Sequence, residues 1–80
     1  MKETRVIEEV RNELSRARLL YPPFRSVHEG YALILEELEE LKGEIFRRSN
    51  VRSDYIMRKE ATHVAAMAIR FITDLMPEVK

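Results

Sequence analysis

The sequence predicts an all-α domain of three helices that self-associates into a helical bundle. Apolar residues recur at three- and four-residue spacing along three separate runs. Each run is bounded by residues that start or stop helices. No stretch alternates as a strand would, and no internal repeat or low-complexity segment appears. At 80 residues the chain makes one domain, residues 1–80. A chain this short buries only about 60–65% of its unfolded surface, so a lone monomer is marginal.

The first helix is expected over residues 3–20. Val6, Ile7, Val10, Leu14, Ala17 and Leu20 follow the apolar template, with charged residues mostly on the other face. Glu13 and Arg16 are spaced to pair within the helix. No site motif stands out in this run, which reads as a packing helix. Tyr21-Pro22-Pro23 ends it, because a residue before proline is pushed out of the α region. Phe24 is expected to fold back on the core.

Ser26 reads as an N-cap with Glu29 three residues on, the capping-box spacing. The second helix then spans about residues 27–48. Its expected core stripe is Tyr31, Ile34 or Leu35, Leu38, Leu41 and Ile45. Gly30 would let another backbone or a ligand come close. Residues 36–44 hold five Glu against one Lys. Glu37, Glu40 and Glu44 share a face beside the apolar stripe, and like charges at this spacing repel by a few tenths, roughly, of a kcal/mol per pair. A helix shaped only for its own stability would more often set Lys opposite Glu, so the cluster is a sign of function.

Residues 49–54 form the next break, and Ser53 or Asp54 caps a third helix over about residues 54–75, stopped by Met76-Pro77. From Val64 to Ile69 it is apolar all round, which requires burial on more than one side. The small residues Ala61, Ala65, Ala66 and Ala68 permit close approach, and a homo-oligomer is expected.

Composition narrows the function. With 14 basic and 14 acidic residues the formal net charge is zero, whereas a dedicated nucleic-acid binder carries a basic excess. There is no cysteine, hence no disulfide, thiolate metal site or cysteine nucleophile. No apolar run approaches the ~20 residues that cross a bilayer, and the charged start does not read as a signal core. A cytoplasmic protein without nucleic-acid or membrane partners is the expectation.

The acidic positions suggest a cation site. A hard divalent cation takes carboxylate oxygens, water and phosphate oxygens. Glu37 with Glu40, and Glu60 with His63, form two pairs at i, i+3 spacing. Antiparallel packing across residues 49–53 would place Glu40 and Glu60 at similar heights, each roughly 10–13 Å from the turn at 1.5 Å rise per residue.

The run Ser26–Leu41 resembles the first metal-binding helix of the MazG-like, all-α nucleoside triphosphate pyrophosphohydrolases, and Glu60–Phe71 resembles the second. The family pattern is EExxE, a variable spacer, then ExxD. Glu36-Glu37-Leu38-Glu39-Glu40 matches the first part, the 19 residues from Leu41 to Lys59 fit the spacer, and Glu60 opens the second part. His63 stands where the family has aspartate. The resemblance implies a MazG-like fold in which Glu37, Glu40 and Glu60 bind Mg2+ or Mn2+, His63 takes the fourth ligand position, and Glu36 is a further ligand or helps activate the attacking water. It also implies hydrolysis of a nucleoside triphosphate to the monophosphate and pyrophosphate by a homodimer or homotetramer. Imidazole is a poorer ligand for magnesium than a carboxylate and suits softer metals. The alternative is a non-catalytic helical oligomerisation module that kept the fold and lost the chemistry.

Overall fold

A computed structural model describes residues 1–78. It contains α1 (Glu3–Leu20), α2 (Val27–Ile45) and α3 (Asp54–Leu75). The three helices form where the periodicity places them, with one difference. α2 stops at Ile45, two or three residues early, because the chain tightens there: the Arg47 amide bonds the Glu44 carbonyl, three residues back, at 3.3 Å.

The caps explain the other boundaries. Ser26 Oγ accepts from the Glu29 amide at 3.1 Å, and Ser53 Oγ accepts from the Ile56 amide at 3.1 Å. The reciprocal half of the capping box is shifted by one residue, since Glu29 Oε1 accepts from the Arg25 amide rather than from Ser26. Across the second turn, Glu44 is buried and its Oε1 accepts from the Ser53 amide at 2.7 Å. One carboxylate thus ties the end of α2 to the start of α3.

α3 is the centre of the fold. It packs against both α1 and α2, whereas α1 and α2 do not pack on each other among the described residues. Ion pairs fix the directions. Glu9 meets Arg58, Glu13 meets His63 and Asp74 meets Arg18, so α1 and α3 run parallel. Gly30 opposes Phe71 and Glu44 opposes Ser53, so α2 runs antiparallel to both. The two-sided burial inferred for Val64–Ile69 is thus met in part within one chain: Ala66 is buried, the others are half-buried, and Ala68 is exposed.

Phe24 folds back and is buried, as are Ala17 and Ala66, which line the same groove. Gly30 is buried under Phe71. A Cβ at Gly30 would lie 2.6 Å from Phe71 Cδ2, so the close approach is made by a side chain of α3.

The expected core stripe of α2 is corrected. Tyr31 is 63% exposed and Leu38 46%, with Leu35 and Ile45 close behind. The face against α3 runs through Gly30, Leu33, Ile34, Glu37, Leu41 and Glu44, which are buried or half-buried. The helix is rotated because the close Gly30–Phe71 contact and the Glu44–Ser53 hydrogen bond pin its two ends. Within α1, Val6, Ile7 and Leu20 are likewise exposed, leaving Val10, Leu14 and Ala17 to face α3. No helix among the described residues is long and apolar enough to cross a membrane.

Candidate metal centre

The rotation of α2 turns Glu37 inward toward α3. Glu60 and His63 lie one turn apart on the facing side of α3. His63 Nδ1 stands 3.3 Å from Glu37 Oε2 and 3.7 Å from Glu60 Oε2. One ligand atom from each of Glu37, Glu60 and His63 lies within 4.8 Å of the other two, a spacing that one ion can bridge. All three residues are half-buried.

The electrostatics follow from that burial. Glu37 has its pKa raised, first by burial and then by the neighbouring Glu40 carboxylate, against the opposing effect of His63. Glu60 is raised too, by burial first and then by Glu40. Its Oε2 is enclosed and has no hydrogen-bond partner among the described residues. A buried carboxylate oxygen without a donor, among further carboxylates, is what a cation would satisfy. The donor set fits a divalent metal on that ground.

The sequence-predicted residues divide as follows. Glu37, Glu60 and His63 are brought together. Glu40 lies beside Glu60, on the exposed side of the trio. Glu36 is exposed on the rim of the same groove and outside the trio.

Glu13 joins them from α1, where no site residue was expected. Its Oε1 is 3.4 Å from His63 Nε2, on the far side of the ring from Glu37. Arg16 holds Glu13 in place through two contacts, of 2.9 and 2.6 Å, as the i, i+3 spacing predicts. The pairing with Arg16 holds the Glu13 pKa below the ordinary glutamate value despite partial burial. A signal for Glu13 is present in the sequence. It lies in line with Val10, Leu14 and Ala17, the face of α1 that packs on α3, so its carboxylate points inward.

A groove of about 550 Å³ runs along α3 between α1 and α2. Glu37, Glu40 and Glu60 make one end acidic. Ala17, Leu33 and Met67 line its middle, and Phe24, Arg25 and Arg70 lie at the other end. Lys59 and Arg16 border the acidic end. On its other side His63 borders a second groove, between α1 and α3, of about 610 Å³.

The chain matches no family model, no curated protein and no solved structure. What the site can do therefore rests on its own geometry. Two carboxylates and an imidazole, those of Glu37, Glu60 and His63, offer oxygen and nitrogen donors to one cation. The flanking Lys59 and Arg16 offer donors to an anion beside it.

Proposed function

We propose that Glu37, Glu40, Glu60 and His63 hold a divalent cation, Mg2+ or Mn2+, and that the chain hydrolyses nucleoside triphosphates to monophosphate and pyrophosphate in the manner of the MazG-like proteins it resembles. The observation that carries this reading is the convergence of Glu37, Glu60 and His63 from two helices, with an unpartnered Glu60 oxygen among them. The groove volume of about 550 Å³ is in the range of small-molecule sites. When bound, the cation would supply charge neutralisation to the phosphates and acidify water.

The residues of the chain have separable tasks in this scheme. Lys59 and Arg16 attract and orient the triphosphate at the acidic end of the groove. Glu36, exposed on the rim, accepts the proton of the attacking water. That water adds to the α-phosphorus, the bond to the bridging oxygen breaks, and pyrophosphate leaves. Glu13 accepts the Nε2 proton of His63 and so turns Nδ1 toward Glu37 and Glu60, the arrangement that second-shell carboxylates impose on metal-binding histidines.

The same reading has the active form a homodimer or homotetramer in the cytoplasm. Tyr31, Leu35, Leu38 and Ile45 form an exposed apolar stripe on α2, which a second copy would cover.

A second reading has its own support. An imidazolium donates from both nitrogens, and His63 stands between Glu13 and Glu37. That arrangement can be an internal ion network in a non-catalytic oligomerisation module. Pyrophosphate release from a panel of nucleoside triphosphates, with Mg2+, Mn2+ and softer divalent metals, separates the two. Release that Glu37→Gln abolishes supports the enzyme. No release with any metal at high protein concentration refutes it. The module reading then requires Glu37→Gln to leave cellular function and assembly intact.

A further inference from the structure

The end of the groove away from the carboxylates contains a buried cation with no anion paired to it among the described residues. Arg70 is 2% exposed. Its side chain turns back along α3 toward Met67, as helical side chains do. Nη1 reaches Met67 Sδ at 3.5 Å, and Nη2 donates to the Pro22 carbonyl at 3.0 Å. The guanidinium carbon lies 4.3 Å from the centroid of the Phe24 ring. These contacts orient the group, but every acceptor among them is neutral, and Nε has no partner among the described residues. Guanidinium has five donors, so most of its hydrogen-bonding capacity is unused.

The nearby carboxylates are committed elsewhere. Asp74, one turn further along α3, accepts from the Phe24 amide at 3.1 Å and from Arg18 Nη1 at 3.0 Å. Glu29, the acidic residue at this end of the groove, accepts from the Arg25 amide at 3.1 Å and pairs with Arg25 Nε at 3.4 Å. A guanidinium taken out of water carries a large desolvation penalty that neutral acceptors offset only in part. Replacing it with an apolar residue of similar volume would remove that penalty, so the charge points to a role other than stability.

We propose that Arg70 is an anion-binding site, and that an oxyanion entering the groove is received by its terminal nitrogens. Phe24 and Pro22 hold the guanidinium plane in place, and a preoriented fork is suited to the paired oxygens of a phosphate or a carboxylate. The site lies ten residues from Glu60 along α3, about 15 Å at helical rise. It is therefore distinct from the carboxylate cluster, and the inference does not depend on a metal being bound.

The test uses the full chain in EDTA, with inorganic phosphate, pyrophosphate, acetate or citrate added at ionic strength matched by chloride. Calorimetry and thermal unfolding read binding. Saturable binding by the wild type is expected, lost or weakened about tenfold or more in Arg70→Met. Arg25→Met, which removes an exposed arginine at the same end, should retain it. A response to phosphate and pyrophosphate alone marks a phosphoryl ligand, and a response to acetate or citrate marks a carboxylate. If Arg70→Met does not fold, the Arg70 Nε–H resonance of the wild type, on the same guanidinium, reports binding at the terminal nitrogens by its shift on titration. No saturable response from any oxyanion overturns the proposal, as does binding that survives Arg70→Met or a resonance that does not move. Because metal is absent throughout, loss of this proposal leaves the metal reading standing, and the reverse.

Discussion

Glu60→Gln separates a cation cradle from a self-neutralised ion network. The Glu60 side chain is 13% exposed, Oε2 has no donor among the described residues, and burial and the adjacent Glu40 raise its pKa. A carboxylate raised in the folded state destabilises the fold while ionised. The penalty is absent below the ordinary value of 4.5 and fully present once pH exceeds the raised folded value. Leaving a buried polar group unpaired costs about 1–3 kcal/mol, and the open groove screens the charge, so the low end applies. Glutamine keeps the shape, removes the charge and offers Glu40 a donor. In EDTA at pH 7, Glu60→Gln should therefore stabilise the chain by about 1 kcal/mol, or roughly 4–8 °C in Tm for a domain of this size. With Mn2+ at about a hundred times its Kd, the wild type should gain about 2.7 kcal/mol, and the variant little. The assay is thermal unfolding followed by circular dichroism, with and without metal, repeated from pH 7 to 4. The advantage of the variant should shrink as pH falls. Destabilisation by Glu60→Gln without metal, or equal stabilisation of both proteins by Mn2+, would refute the cradle.

Three further outcomes follow from the packing. Asp74 is held below the ordinary aspartate range: burial opposes its ionisation, but the Phe24 amide and Arg18 outweigh it. Its stabilising contribution is present above the unfolded pKa and is lost as pH falls through the depressed folded value. Asp74→Asn should cost about 2 kcal/mol at pH 7, and denaturant titrations should show the gap closing in acid. Gly30→Ala places a Cβ 2.6 Å from Phe71 Cδ2. Despite the better helix propensity of alanine, the overpacking should destabilise by about 1–2 kcal/mol, and Phe71→Leu should recover part of it in a double-mutant cycle. Leu35→Glu with Leu38→Glu places charge on the exposed stripe of α2. Light scattering should show dissociation to monomer if a second copy covers that stripe, and an unchanged mass would exclude it as the contact.

The helices were legible because their signals are local. Ser26 and Ser53 cap as their spacing predicts, and the Pro22-Pro23 pair stops α1. The meeting of Glu37 with Glu60 and His63 was also legible. Two helices joined by a short turn must run antiparallel, and equal distances from the turn then put residues at equal height. Rotation about a helix axis is a different quantity. Apolar periodicity favoured Leu38 and Ile45 as the inward face of α2, but the Gly30–Phe71 contact and the Glu44–Ser53 hydrogen bond turn Glu37 and Glu44 inward instead.

By its sequence alone this chain determined three helices, their boundaries to within a turn, and the pairing of the carboxylates of α2 with Glu60 and His63, since each depends on neighbours in the chain or on simple height. Only the tertiary structure decided that Glu13 closes on His63 from α1, that the apolar stripe of α2 faces outward, and that Arg70 is buried with no anion paired to it among the described residues. Those three depend on how α1 and α2 seat on α3. That seating is set by contacts between residues 26 to 56 positions apart, which no local pattern encodes.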